Sequence, residues 1–373
     1  MTVFSAADHA HMARALRAAE RGLSTTQPNP RVGCVIAHGE EIVGEGFHAR
    51  AGEAHAEVFS LREAGPRARG ATAYVTLEPC AHFGRTPPCA EALIAAGVAR
   101  VVAACEDPNP KVAGSGFAKL RAAGIAVETG LMREAARELN RGFFSRIERG
   151  RPWLRVKLAM SLDGRTALAN GESKWITGET ARADVQRWRA RSSAILTGSG
   201  TVLADDPHLT VRMERIGSDS FFSKKESDPI FQPLRVVLDT GLVTPASAHV
   251  LDGSVPTLIL HAPDARRAAH FDKVECAAVP VRDDRLDLPA ALNLLAERGV
   301  NELQVEAGAT VCGALFAQVL VDELLLYVAP ILLGDTARPL LGLPILESIA
   351  SVRRLRVFDQ RQVSDDWRLL LRQ

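Results

Sequence analysis

Ala71-Thr-Ala-Tyr-Val-Thr-Leu-Glu-Pro-Cys80-Ala-His-Phe-Gly-Arg-Thr-Pro-Pro-Cys89-Ala-Glu-Ala-Leu-Ile-Ala-Ala96 changes character twice along its length. Residues 71–77 mix β-branched and aromatic side chains in a short apolar run, which reads as a buried strand. The stretch from Pro79 to Pro88 holds three prolines and a glycine, so it reads as a loop. Residues 89–96 are strong helix formers. Strand, loop and helix in that order form the unit from which α/β layers are built.

The same alternation extends in both directions. Ser5-Ala-Ala-Asp8 resembles a capping box opening a helix that runs towards Arg21, with Gly22 at its end. Residues 32–37 and 41–47 read as a hairpin around His38-Gly39, followed by a helix over 54–64. Beyond residue 96, the pattern predicts strands over 100–105 and 125–128 and helices over 116–123 and 133–140. The polar, proline-terminated string 146–152 reads as a linker. A second block restarts with a strand over 153–160. It continues with helices over 179–191, 289–298 and 309–319, and strands over 194–197, 234–239, 257–260, 302–306, 323–328 and 367–371. Residues 213–233 lack periodicity and read as a surface loop. Two domains are expected, 1–148 and 149–373, of ordinary domain size.

Composition narrows the function classes. The 373 residues carry 45 Lys+Arg against 44 Asp+Glu, a formal charge of +1, which lacks the basic surplus of most nucleic-acid binders. No window approaches 18 consecutive apolar residues, and the first residues lack a signal-peptide core, so the expectation is a cytosolic protein without a membrane or nucleic-acid partner. Six cysteines in such a chain read as reduced thiols rather than as a disulfide framework.

His55-Ala-Glu57 precedes the quoted segment, and its histidine joins Cys80 and Cys89 as an imidazole and two thiols. That donor set suits zinc, and three protein ligands leave the fourth tetrahedral position to water, as in catalytic sites. Zinc lowers the pKa of such a water towards about 7. Glu57 is then free to carry a proton from the water to a leaving nitrogen, which is the chemistry of hydrolytic deamination on a heteroaromatic ring. Eight residues separate the cysteines, rather than the two of the common nucleobase-deaminase signature. His82 as a fourth ligand would close the site and leave Glu57 unexplained. Cys34, Cys105, Cys276 and Cys312 read as small core residues.

Two glycine patterns compete as a dinucleotide site. Gly44-Glu-Gly-Phe-His-Ala49 fits G-x-G-x-x-A but lies in a hairpin strand and opens no helix, so it is a decoy. Val305-Glu-Ala-Gly-Ala-Thr-Val-Cys-Gly-Ala314 ends a strand and opens a helix, where free N–H groups can bind phosphate. Spacing alone does not separate that reading from a tight turn at Gly308.

Several motifs together closely resemble the RibD family of bifunctional riboflavin-biosynthesis proteins, a pyrimidine deaminase fused to a reductase. In the first half these are Thr26-Gln-Pro-Asn-Pro-Arg-Val-Gly-Cys34, Gly52-Glu-Ala-His-Ala-Glu57, the segment from Thr76 to Cys89, and Asp107-Pro-Asn-Pro-Lys-Val-Ala-Gly-Ser-Gly116. In the second half they are Lys157-Leu-Ala-Met-Ser-Leu-Asp-Gly-Arg165, Gly171-Glu-Ser-Lys-Trp-Ile-Thr177, Thr201-Val-Leu-Ala-Asp-Asp-Pro207 and Asp322-Glu-Leu-Leu-Leu-Tyr-Val-Ala-Pro330. The resemblance covers nearly the whole chain and weakens at 213–233 and 252–287. It implies an N-terminal cytidine-deaminase-like three-layer domain and a C-terminal dihydrofolate-reductase-like α/β domain.

The same resemblance implies one zinc per chain on His55, Cys80 and Cys89, a catalytic proton shuttle at Glu57, and NADPH as second cofactor. It places Asn29 and the Gly84-Arg85-Thr86 loop on a small phosphoribosyl pyrimidine. It lines the NADPH site with Ala159, Trp175, Thr201, Asp205, Gly308, Ala309, Thr310, Val311, Cys312, Gly313 and Ala314. Substrate contacts fall to Ser173, Arg189, Leu209, Arg212 and Glu306, with Lys157 at the reacting end. The expected reactions are loss of the 2-amino group from a diaminopyrimidinone ribosylamine phosphate, then reduction at ribosyl C1′. A tRNA or free-base deaminase with an unrelated appended domain predicts instead a Cys-x-x-Cys pair, and a zinc scaffold predicts a closed four-ligand site. Whether the protein is a homo-oligomer stays open.

Overall fold

The computed structural model describes residues 3–81, 88–110, 112–212, 231–345 and 347–373. The His82 and Gly84–Thr86 expectations, and most of the 213–233 loop, lie outside the described residues. The chain divides into two compact units between Gly150 and Arg151.

The first unit runs α1 (Ala6–Glu20), β1 (Gly33–His38), β2 (Glu41–Phe47), α2 (Ala56–Ala64), β3 (Thr72–Val75), α3 (Cys89–Ala96), β4 (Arg100–Ala103), α4 (Ser115–Ala122), β5 (Ala126–Thr129), α5 (Arg133–Leu139) and α6 (Arg141–Arg149). Its sheet has the order β2-β1-β3-β4-β5. The β2, β1 and β3 pairings are antiparallel, and β3, β4 and β5 run parallel. Alternate residues of β1 serve opposite faces. Cys34 and Ile36 pack with Ala56, Leu93 and Leu120, while Val35 and Ala37 pack with Met12, Ala15, Phe143 and Phe144. Helices therefore cover both faces, giving the expected three layers. Ser5 opens α1 as a full capping box: its hydroxyl accepts from Asp8 N–H at 3.1 Å, and Asp8 accepts from Ser5 N–H at 2.8 Å.

The linker reading of 146–152 needs correction. Helix α6 continues through Arg149 and stops at Gly150, at φ 67°. Phe143 and Phe144 dock into the core, so the charged string is the solvent side of a helix; Arg137 pairs with Glu148 at 2.7 Å. The decoy glycines Gly44 and Gly46 have a packing role. Cβ atoms there would lie 2.2 Å from Ser60 O and 2.4 Å from Ala56 O, so they let α2 lie backbone to backbone on β2.

The second unit runs β6 (Trp153–Ser161), β7 (Arg165–Ala167), α7 (Glu179–Arg191), β8 (Ala194–Gly198), α8 (Ser199–Asp205), β9 (Leu234–Leu238), β10 (Thr257–His261), β11 (Glu275–Ala278), β12 (Val281–Arg282), β13 (Arg285–Leu286), α9 (Leu288–Glu297), β14 (Glu302–Val305), α10 (Ala309–Ala317), β15 (Glu323–Ala329), β16 (Arg338–Pro339), β17 (Arg356–Val363) and β18 (Asp366–Arg372). Nine strands form one sheet in the order β11-β10-β9-β8-β14-β6-β15-β18-β17. The first seven are parallel, and β18 and β17 close the edge antiparallel. Sequence reading misses β17 because its residues are mostly exposed, and a register shift between Val357 and Asp359 breaks the alternation.

One face of this sheet buries an aliphatic core with α9 and α10. The face beneath α7 mixes Val185, Trp188 and Tyr327 with ions. Fully buried Arg155 donates to Glu323 at 2.6 Å and to Glu302 at 3.2 Å, with its guanidinium 4.5 Å from the Trp188 ring centroid. Among the described residues no helix is long and apolar enough to cross a membrane.

Backbone contact of α1 with β1 supplies a test. A Cβ on Gly33 would lie 1.9 Å from Ala15 O, so Gly33→Ala forces α1 off the sheet. Overpacking of this kind costs about 1–3 kcal/mol, and a fall in thermal midpoint is expected by calorimetry. An unchanged midpoint would show that the layers shift without penalty.

Candidate active sites

The first site gathers where two helices begin. His55 is the N-cap of α2 and Cys89 the first residue of α3, while Cys80 sits in the loop after β3. The three ligand atoms lie within 4.8 Å of one another. His55 Nδ1 is 3.2 Å from Cys89 Sγ and 3.6 Å from Cys80 Sγ, and Cys89 N–H donates to Cys80 Sγ at 3.3 Å. Helix N-termini and donated N–H groups favour thiolates. The thiol of Cys89, followed by His55, holds Cys80 down to about 4, while the Cys80 sulfur and burial push Cys89 up.

Glu57 stands in the first turn of α2 and is buried. Its Oε2 has no hydrogen-bond partner among the described residues. Burial raises its pKa, against the pull of His55. A soft three-donor cluster beside a buried, unpartnered carboxylate oxygen fits a zinc ion with an exchangeable fourth ligand. Asn29 does not reach the cluster directly. Its amide donates to His48 Nε2 at 3.1 Å, His48 Nδ1 donates to Ala54 O at 3.1 Å, and the His48 ring stands edge-on to His55 at 5.3 Å.

Sequence reading missed Glu78, although it lies inside the quoted segment. Its carboxylate accepts from Gly116 N–H at 2.9 Å, Gly114 N–H at 3.0 Å, Asp107 N–H at 3.2 Å and Phe117 N–H at 3.4 Å. A Cβ on Gly116 would lie 1.9 Å from Pro79 O. The Asp107–Gly116 motif thus clamps the loop that carries Cys80. Cys34, Cys105 and Cys312 are core residues as expected, whereas Cys276 is half-buried.

The second site is a cleft of about 1240 Å³ at the carboxyl ends of β8, β9 and β14. It brings together Lys157, Ala159, Ser173, Arg189, Thr201, Asp205, Leu209, Glu306, Gly308, Ala309, Thr310, Val311 and Ala314. Four expected residues are not on its wall. Cys312 turns into the core and donates to Ala307 O, and Gly313 makes room for Gly342 O, 2.2 Å from an added Cβ. Trp175 is 68% exposed with Arg182 over its ring, and exposed Arg212 borders the undescribed segment.

Arg189 has protein partners of its own on the cleft wall. Its fork holds Glu306 through bonds of 2.7 and 2.8 Å, and it donates to Thr210 O at 2.9 Å, so it orients that carboxylate. Burial would raise the Glu306 carboxyl, but Arg189 and then Lys157 outweigh it and hold it down to about 2. Lys157 is half-buried, without a hydrogen-bond partner among the described residues, and burial lowers its pKa.

The two readings of Gly308 ask different things of its backbone. Its φ is −71°, and an added Cβ would meet only Thr201 Oγ1, at 3.8 Å. Neither a left-handed turn nor close packing requires glycine there, so the missing side chain leaves space for a ligand at the start of α10. Thr201 Oγ1 accepts from Gly308 N–H at 3.2 Å, and α10 has no side-chain cap. Gly200 repeats the feature, with nothing within 4 Å of an added Cβ. The Gly198-Ser-Gly-Thr201 run after a strand was the signal for it.

The depressed Glu306 carboxyl has a pH consequence. Its contribution to stability is complete above its ordinary value near 4.5 and is lost as pH falls towards about 2. Glu306→Gln should therefore flatten the fall in unfolding free energy across that window, measured by urea titration at each pH. Parallel curves for variant and parent would refute the coupling to Arg189.

Residues 5–105 match the family model of the cytidine and deoxycytidylate deaminase zinc-binding region, and residues 152–369 match that of the RibD C-terminal domain. The chain is 50% identical over 360 residues to the riboflavin biosynthesis protein RibD of Escherichia coli (strain K12), across 96% of this chain and 97% of that one. Its Haemophilus influenzae counterpart is 46% identical across 99% and 98%. Among solved structures, Acinetobacter baumannii RibD (form 2) superposes with a TM-score of 0.88 at 44% identity, covering 98% of both chains. The diaminohydroxyphosphoribosylaminopyrimidine deaminase/5-amino-6-(5-phosphoribosylamino)uracil reductase of Thermotoga maritima gives 0.84 at 31%, again over 98% of both. The matches run through both halves, so the second is no unrelated appendage. With a three-donor cluster in one unit and an uncapped helix start on the cleft wall of the other, the chain belongs to the RibD family of bifunctional riboflavin-biosynthesis enzymes, an N-terminal deaminase joined to a C-terminal reductase.

Proposed function

We propose that His55 Nδ1, Cys80 Sγ and Cys89 Sγ hold one zinc ion per chain, and that Glu57 moves the protons of deamination. The supporting observation is the orphaned, buried Oε2 of Glu57 beside the three donors. Zinc, when bound, supplies a nucleophilic water near neutral pH. Glu57 takes a proton from that water as its oxygen adds to C2 of the diaminopyrimidinone. It returns the proton to the 2-amino nitrogen, which leaves as ammonia. Burial favours the protonated form that must exist between these two transfers. Asn29, positioned by His48, helps hold the phosphoribosyl pyrimidine.

In the second unit the reading is an NADPH site along Thr201, Asp205 and the start of α10. NADPH supplies the hydride for C1′. Lys157, Asp205 and Glu306 surround that end with charge, and Arg189 keeps Glu306 ionised and aimed. Hydride addition at C1′ breaks the bond to the ring oxygen, which takes one proton to become the 4′-hydroxyl of the ribityl chain. The proposed partner is this small phosphoribosyl pyrimidine alone, in a cytosolic setting.

Removal of one thiol tests the metal assignment. Cys80→Ser should lose both bound zinc, by elemental analysis, and ammonia release. Stoichiometric zinc in that variant would overturn the ligand set.

Glu57→Gln tests the proton role and the order of steps. Ammonia release should fall by about 10²–10⁴-fold with zinc retained. Given the already deaminated uracil ribosylamine phosphate, the variant should oxidise NADPH at close to the parental rate; given the diamino compound, almost not at all. Equal NADPH consumption with both compounds would reverse the proposed order.

A further inference from the structure

The sheet order gives the reductase cleft a direction. From β6 outward the strands stand in the order β6, β14, β8, β9, β10. Lys157 lies on β6 and Glu306 just after β14; α10 and α8 start after β14 and β8; Thr240 follows β9, and all of these elements line the cleft. On the reading above, the nicotinamide lies by Lys157 and Glu306 and the pyrophosphate by the start of α10. Three strand spacings, roughly 14 Å, then carry the adenosine half towards β9.

The wall at that end is the β12–β13 hairpin. Its turn residues Asp283 and Asp284 take φ of 50° and 59°, as a two-residue left-handed turn requires. Arg282 and Arg285 are register partners, so their side chains leave the same face of the ribbon, and both line the cleft. Like charges directly opposite each other on a ribbon are unfavourable unless an anion lies between them. Asp283, Asp284 and Asp287 are close in sequence, yet neither arginine is held in a short ion pair among the described residues. Arg282 reaches Asp287 only at 4.0 Å and is 78% exposed, and Arg285 has no partner among the described residues. The ribbon is anchored, because Leu286 is buried in the core and Asp287 accepts from Ala290 N–H at 2.9 Å to cap α9.

The other cations of the cleft are placed elsewhere. Arg189 is locked to Glu306, Lys157 stands beside it, and Arg338 lies on β16 against Gly171, on the ribbon with β7. We infer that Arg282 and Arg285 form the subsite for the 2′-phosphate of NADPH, the group that distinguishes it from NADH. A phosphate dianion between two guanidinium forks removes their repulsion and accepts charge-assisted hydrogen bonds. Asp283 also lines the cleft and opposes the phosphate as a like charge. Its removal therefore carries the opposite sign.

The inference rests on the cleft being the NADPH site, and binding measured without turnover separates the two. Fluorescence titration of the full-length protein with NADPH and NADH should show a parent that prefers NADPH. In the Arg282→Gln/Arg285→Gln double variant the NADPH dissociation constant should rise about tenfold or more, as expected for lost charge-assisted bonds. The NADH constant should stay where it was. Asp283→Asn, which keeps a residue tolerant of left-handed backbone, should tighten NADPH alone. An unchanged NADPH constant in the double variant, or an equal loss for both dinucleotides, overturns the hairpin assignment and leaves the cofactor reading intact. A parent that binds neither dinucleotide overturns the cofactor reading, and the assignment with it.

Discussion

Helix α2 lies on β2 with no side chain between the two backbones at Gly44 and Gly46, and that approach fixes where His55 and Glu57 stand. The same kind of contact sets the opposing loop. Gly116 presses against Pro79 O, while Glu78 gathers four N–H groups around the turn that presents Cys80. Ligands from three separate elements then meet within a few ångströms without help from a long side chain. Rigid backbone contact of this kind suits a metal site, because small displacements of a donor change coordination geometry. In the second unit Gly313 lets the chain at Gly342 pass under α10, which aligns the helix start with the cleft.

Two carboxylates, Glu57 buried and Glu306 half-buried, show how environment shifts one functional group in opposite directions. Glu57 has an unpartnered oxygen, and burial raises its pKa, which suits a group that must gain and lose a proton. Glu306 is gripped by Arg189 in a bidentate pair, supported by Gln304 at 2.8 Å and faced by Lys157. Those partners favour its ionised form. Preorganised charge of that kind acts without reorganising during reaction. The two units thus meet two chemical demands with one residue type and opposite partners.

The N-terminal chemistry was legible in the sequence because its residues cluster in short motifs. His55, Glu57, Cys80 and Cys89 are of types whose combination has few other uses, and strand and helix periodicity around them is regular. The decoy at Gly44 was also legible, since a glycine pattern inside a strand cannot open a helix. Less was readable in the reductase half. Its cleft is assembled from the ends of strands far apart in the chain, so Thr240 and the β12–β13 arginines carry no local signal of shared purpose. Edge strand β17 escaped notice because exposed edges lack the alternation that burial imposes.

The sequence by itself determined the two α/β layers, the donor set, and the carboxylate of Glu57 near it in the chain, because periodicity and residue chemistry are local properties. Only the tertiary structure decided what distant groups do to one another. It brought Arg189 onto Glu306 as a clamp, and it sent Cys312 and Gly313 into packing. It also revealed that Gly308 is glycine without any need of the backbone. Partners 117 positions apart, such as Arg189 and Glu306, are brought together by the sheet order, and pairing across a sheet is not written in either segment alone.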